Sequence, residues 1–133
     1  MHETRRGRHV GSVLIVEPHD DSRAMYADYF AWNGFHVTAV RTAAGALRHM
    51  SHERHDAVIT CLRLRDMDGF ALRAALAASR RTSQVPVIAV CSCASDHQRA
   101  FGDTGFAAVL MKPCLPDVLL SSVRDALAGQ SLS

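Results

Sequence analysis

Four cysteines, one lysine and one glutamate set out the chemistry this chain could do. Cys61 closes the run Asp56-Ala-Val-Ile-Thr-Cys61, Cys91 and Cys93 follow Val87-Ile-Ala-Val90, and Cys114 comes just after Lys112-Pro113. Thiolates are soft ligands and good nucleophiles. Four of them could hold zinc tetrahedrally, and a pair could form a redox-sensing disulfide. Lys112 beside them could lower a thiol pKa and favour the reactive form. Against a metal, Cys91-Ser92-Cys93 leaves a shorter gap than the roughly two to four residues usual in zinc sites. In an extended segment those two side chains also point to opposite faces. Cysteine packs well as a small hydrophobe, so packed, inert thiols are the expected reading. Among the histidines, His49, His52 and His55 fall near the end of a predicted helix, where a solvated terminus with favourable cations accounts for them. His19 is expected in a water-exposed loop, with a ligand role beside Cys61 as the alternative.

The elements that must position these groups follow from periodicity. Val13–Val16 is an apolar run of strand length, and Pro18 cannot continue it. Asp20 or Asp21 suits the N-cap of a helix carrying Met25, Tyr29, Phe30 and Trp32, stopped by Asn33-Gly34. Phe35–Val40 alternates as a second strand, and Thr42 caps a helix with Ala43, Ala46, Leu47 and Met50 on one face. Ala57–Cys61 is the third strand, and residues 69–79 form a helix. Pro86–Val90 is the fourth strand, residues 95–103 a weak polar helix, and Ala107–Met111 a short fifth strand. Pro116 suits the first turn of a last helix with Val118, Leu119, Val123, Ala126 and Leu127 on its buried face. Alternating strands and helices imply an α/β, doubly wound, five-stranded parallel sheet of order 2-1-3-4-5. In such sheets ligands meet the carboxyl ends of the strands, where Cys61 and Cys91 stand.

Composition narrows the classes. At 133 residues, with 48% hydrophobic and 21% charged residues, the chain is an ordinary globular domain, so disorder as a general state is excluded. A net charge of +2 gives no argument for nucleic acid. Residues 1–11, with Arg5, Arg6 and Arg8, read as a disordered basic leader, 12–128 as the domain and 129–133 as a tail. The sequence shows neither a membrane span nor a signal-peptide core, which leads to an expected cytoplasmic location with reduced thiols.

Together the landmarks resemble the receiver domain of bacterial response regulators, a flavodoxin-like (βα)5 fold, over about residues 12–128. The resemblance rests on Val13-Leu-Ile-Val-Glu17 with Ser22-Arg23, Asn33-Gly34-Phe35-His-Val37, Asp56-Ala-Val-Ile59, Met67-Asp68-Gly69-Phe70, Val85-Pro86-Val-Ile-Ala89 and Lys112-Pro113. In that family the third strand ends in an aspartate that accepts a phosphoryl group from a histidine kinase. Two acids after the first strand hold Mg²⁺, while a Ser or Thr and a Lys contact the phosphoryl oxygens. By this resemblance Glu17 matches the first acid, Pro18 stands where the second belongs, and Cys61 replaces the acceptor. Cys91 takes the hydroxyl position, Val109 the place of an aromatic switch residue, and only Lys112 is retained. Asp66 and Asp68 lie in the neighbouring loop as conceivable substitute acceptors, with a structural role favoured for Asp68.

The resulting expectation is a degenerate receiver, or pseudo-receiver. Mg²⁺ prefers an octahedral oxygen shell, and Glu17 with a proline and a sulfur makes a poor one. No metal or other cofactor is therefore expected, and no enzymatic activity. A Glu17–Lys112 ion pair is expected to mimic one fixed state of the switch. The partner would be a protein, either a histidine kinase or a downstream signalling protein. It would meet the face formed by the fourth helix, fifth strand and fifth helix within residues 95–128. That face could also pair two copies of the chain. With no output domain in the sequence, any effect is expected in trans. Nucleic acid and membrane partners are not expected. The alternative reading is a thiol-based redox or metal sensor at Cys61, Cys91, Cys93 and Cys114.

Overall fold

The computed structural model describes residues 9–103 and 105–132, with side chains through residue 129. Residues 1–8 of the expected leader lie outside the described residues. In chain order the elements are β1 (Gly11–Val16), α1 (Asp20–Trp32), β2 (Phe35–Val40), α2 (Ala43–Met50), β3 (Ala57–Cys61) and α3 (Gly69–Ala77). They continue as β4 (Val87–Cys91), α4 (Ala94–Phe101), β5 (Ala108–Met111) and α5 (Pro116–Leu132). The five strands form one parallel sheet in the order β2-β1-β3-β4-β5. The last helix continues to Leu132, into the stretch expected as a tail.

The pleat divides the core into two layers. Leu14 and Val16 of β1, Val58 of β3, and Val87, Ala89 and Cys91 of β4 pack with Ala46, Met50, Leu72 and Leu76 on one face. Their strand neighbours Val13, Ile15, Ala57, Ile59, Ile88 and Val90 pack with Tyr26, Phe30, Leu119 and Val123 on the other. The central strands β3 and β4 are buried throughout, as a parallel sheet covered on both faces requires. The same period of two sends Glu17 and Cys61 to the α1/α5 side, because each follows the parity of the residues packed there. Cys91 falls to the opposite side.

Several local expectations are corrected. His19, not Asp20 or Asp21, is the N-cap of α1; its Nδ1 accepts from the Ser22 N–H at 3.4 Å. The two aspartates occupy the first turn instead, where the helix dipole favours them. The buried face of α1 is Tyr26 and Phe30, while Trp32 is 87% exposed. In α5 Leu120 is buried and Val118 is exposed, because the helix turns Leu119, Leu120 and Val123 inward. Thr42 caps α2 as its sequence position suggested, accepting from the Gly45 N–H at 3.0 Å. Gly34 adopts φ 91°, the left-handed conformation that ends α1.

His55 is not part of a solvated helix end. It is buried beneath β2, with Nε2 3.5 Å from Thr38 Oγ1 and 3.6 Å from Glu53 Oε1. Burial pulls its pKa below the ordinary value, with His49 and His36 adding to the shift and the Glu53 and Asp56 charges opposing it. The sign of the linkage follows. The unfolded chain binds a proton near 6.5, before the folded protein does, so folding stability falls as pH drops below about that value. Urea unfolding compared across that range will show this loss, and His55→Leu will flatten it.

Candidate functional site

The site lies beyond the carboxyl ends of β1, β3, β4 and β5. Glu17 is the first residue after β1 and is only 3% exposed. Its Oε1 accepts from Lys112 Nζ at 2.8 Å and from the Cys61 thiol at 2.9 Å. Its Oε2 accepts from the His19 N–H at 2.9 Å. Arg23, one turn into α1, donates to the Glu17 carbonyl at 3.0 Å and to Asp20 Oδ1 at 2.6 Å, which fixes the loop around Pro18. The Glu17–Lys112 pair expected from the sequence is thus present, closed by a third group at Cys61. On the far side, the Lys112 N–H extends the sheet ladder by donating to the Cys91 carbonyl at 2.7 Å.

The electrostatics follow from this arrangement. Burial pushes the Glu17 carboxyl up. The hydrogen bonds from Cys61, Lys112 and His19, with the Lys112 charge, outweigh that and leave its pKa below the ordinary 4.5. Burial also opposes the charge on Lys112, but the hydrogen bond to Glu17 prevails and raises its pKa. The Cys61 thiol is pushed up to about 12, first by burial, then by the hydrogen bond to Glu17 and the Glu17 charge. Lys112 pulls the other way, but more weakly. The thiol activation that Lys112 could supply is therefore outweighed at Cys61. At neutral pH it is a protonated hydrogen-bond donor.

The other three sulfurs face separate partners. Cys91 is buried and directs its thiol toward the Leu110 carbonyl at 3.5 Å, with burial raising its pKa. Cys93 is the N-cap residue of α4, where Ser95 and the Asp96 N–H pull its thiol pKa down. Cys114 is half-buried, its sulfur 3.6 Å from the Leu115 carbonyl. All four are free thiols. Among the described residues no group of three or more His, Cys, Asp or Glu side chains is arranged to hold a metal ion.

Asp66 and Asp68 serve structure. Asp66 accepts from the N–H groups of Ala43 and Ala44, satisfying the start of α2 from 22 residues away. Asp68 is the N-cap of α3, accepting from the Ala71 N–H at 2.8 Å. Val109 is half-buried in β5 and packs against the α2/α3 core. His19 is exposed, as expected of a loop residue.

A cavity of about 170 Å³ opens beside the triad, lined by Glu17, Pro18, Cys61, Cys91 and Lys112 together with Arg63, Ser92 and Asp96. Arg63 and Asp96 were not legible as site residues. They are 33 positions apart, yet Arg63 Nε donates to Asp96 Oδ2 at 2.7 Å. The one available signal was that Arg63 stands two residues after Cys61, at the mouth of the same loop.

A doubly wound sheet of order 2-1-3-4-5, with an acid after β1 and a lysine after β5 converging on the end of β3, defines a receiver-type signalling module. The family model for the response regulator receiver domain matches residues 13–124, and the chain belongs to that family. It is 26% identical over 117 residues to the transcriptional regulatory protein GltR of Pseudomonas aeruginosa. That match covers 87% of this chain but 48% of GltR, so the chain spans about half of that relative. Among solved structures, it is similar to the signal receiver domain of a signal transduction histidine kinase from Syntrophus aciditrophicus, with TM-score 0.82 and 29% identity over 90% of this chain and 92% of that one. A sensor protein from Polaromonas sp. JS666 matches with TM-score 0.83 and 25% identity, covering 90% of this chain and 98% of that one. Receiver domains of this kind are, in general, non-enzymatic signalling domains that meet histidine kinases and other signalling proteins.

Proposed function

We propose that this chain is a pseudo-receiver: a two-component signalling module that docks on a protein partner without passing through an aspartyl phosphate. The observation that carries the reading is the closed triad Cys61–Glu17–Lys112. Phosphoryl transfer works by positioning a nucleophile and neutralising developing charge. Here the residue at the acceptor position is a neutral thiol that keeps its proton and donates it in a hydrogen bond to the Glu17 carboxylate, and Lys112 is already neutralised by the same carboxylate. The donor set does not fit Mg²⁺ either. Both Glu17 oxygens accept hydrogen bonds, Pro18 offers no carboxylate, and Cys61 offers a protonated sulfur. No step of the function therefore runs through that metal. Catalytic turnover is not part of the reading.

The docking face in this reading is α4, β5 and α5. It carries the exposed apolar residues Phe101, Met111, Leu115 and Val118, a concentration that suits a protein contact. The partner is a histidine kinase or a downstream signalling protein, and self-association would use the same face. A cytoplasmic setting agrees with this reading, and no described helix is long and apolar enough to cross a membrane.

The test is intact-mass measurement after incubation with acetyl phosphate and Mg²⁺, read under native conditions. The expected result is an unmodified apo-protein mass, and Cys61→Ala is expected to leave partner binding intact. A phosphoryl adduct that disappears in Cys61→Ala would overturn the reading. A partner interaction lost in Cys61→Ala while the domain stays folded would move the function to the thiol.

A further inference from the structure

α4 has little apolar anchoring. Of its eight residues only Ala100 is buried. Besides its contact with β4 and β5, arginine contacts with the neighbouring loop and helix seat it. Arg63, in the loop after β3, donates through Nε to Asp96 Oδ2 at 2.7 Å and through Nη2 to Cys93 Sγ at 3.6 Å. Further along α4, the Arg99 guanidinium lies 3.8 Å from the centroid of Phe70, on α3. Beyond the helix, Arg73 of α3 donates to Asp103 at 3.2 Å and sits 5.5 Å from the Phe106 ring, which meets Phe70 edge-on. Arg63 and Asp96 are also walls of the cavity beside Cys61 and Lys112. One ion pair thus both seats the N-terminal turn of α4 and bounds the cavity.

We propose that α4 is held by an electrostatic latch, the Arg63–Asp96 ion pair backed by Arg99 on Phe70, whose opening frees the helix and widens the cavity while the sheet stays folded. Polar and cation–π contacts at the surface are individually weak and screened by salt, whereas the burial that holds β1, β3 and β4 is not. A helix held mainly by such contacts opens locally, at a lower free energy than the whole domain. The inference concerns how the helix is seated. It stands or falls separately from the phosphorylation reading, because its test involves neither phosphodonor nor partner.

The experiment is native-state amide hydrogen exchange on the full chain, comparing the parent protein with Arg63→Gln, Arg99→Ala and the double variant at low and high salt. The reporters are α4 amides such as His97 and Gly102, which donate to the Cys93 and Gln98 carbonyls. Loss of one exposed pair is expected to speed their exchange by up to about fivefold, with a larger effect in the double variant. High salt should reproduce the effect in the parent protein and add little in Arg63→Gln, while amides of β1, β3 and β4 stay protected. Unchanged α4 exchange in both single variants would overturn the latch. So would acceleration spread evenly over sheet and helices.

Discussion

Lys112→Met will destabilise the domain by about 3 kcal/mol at neutral pH, because it strands the Glu17 carboxylate without its counter-charge. Glu17 is 4% exposed at the side chain, so water cannot replace the ammonium group that now lies 2.8 Å from Oε1. The sign of the pH dependence provides the check. In the parent protein the Glu17 pKa lies below 4.5, so its stabilisation is present above that value and is lost as pH falls through the lowered one. In Lys112→Met the folded carboxyl is instead held above its unfolded value, and acid relieves the penalty by protonating it. The deficit against the parent protein should therefore narrow between about pH 7 and pH 4 in urea titrations. Adding Glu17→Gln to Lys112→Met should recover much of the loss, since the uncompensated charge disappears. A deficit that is constant with pH, and is not recovered by Glu17→Gln, would show that Lys112 acts through packing alone.

The second large effect belongs to Gly69. A Cβ built there would lie 2.7 Å from the Cys61 carbonyl oxygen and 2.9 Å from both Cα and Cδ2 of Leu62. Two of those atoms are backbone at the end of β3, which cannot move aside without disturbing the triad. The Gly69 N–H also donates to the Leu62 carbonyl at 2.8 Å, tying the first turn of α3 to that strand end. Gly69→Ala should cost about 3 kcal/mol by overpacking. It should also disturb Cys61, seen as faster reaction of its thiol with a disulfide reagent. Gly129→Ala is the control. Among the described residues a Cβ there meets nothing within 4 Å, so the helix should gain stability by about 0.5 kcal/mol or more. Equal behaviour of the two alanine variants would remove close approach as the reason for glycine at position 69.

Hydrophobic runs bounded by Pro18, Asn33-Gly34, Pro86 and Pro113 determined the five strands and their alternation with helices. Chirality and the burial of β3 and β4 on both faces leave little freedom in the order β2-β1-β3-β4-β5. The positions of Glu17, Cys61, Cys91 and Lys112 at strand ends were legible for the same reason, and so was the pairing of Glu17 with Lys112. Capping by Thr42 could be read because its partner amide lies three residues away.

What the sequence could not decide depended on distance through space. Four thiols near one end of the sheet left a cluster open as the alternative to packed cysteines, but the pleat sends Cys61 and Cys91 to opposite sides and gives each sulfur its own partner. The state of Cys61 was decided by its burial and by the Glu17 oxygen 2.9 Å away, which together outweigh the lysine that proximity in sequence pattern suggested would activate it. His55 looked like one of three solvated histidines until the turn after α2 folded it beneath Thr38. Trp32 and Val118 matched helical periods yet face outward, since an apolar residue at the margin of a stripe is buried only if a neighbouring element covers it. Asp66 stabilises a helix 22 residues upstream, and Arg63 reaches Asp96 across 33. Periodicity and local propensity set which elements form. The charges and hydrogen bonds that give the site its chemistry are made between elements, at separations that only the packed chain brings within reach.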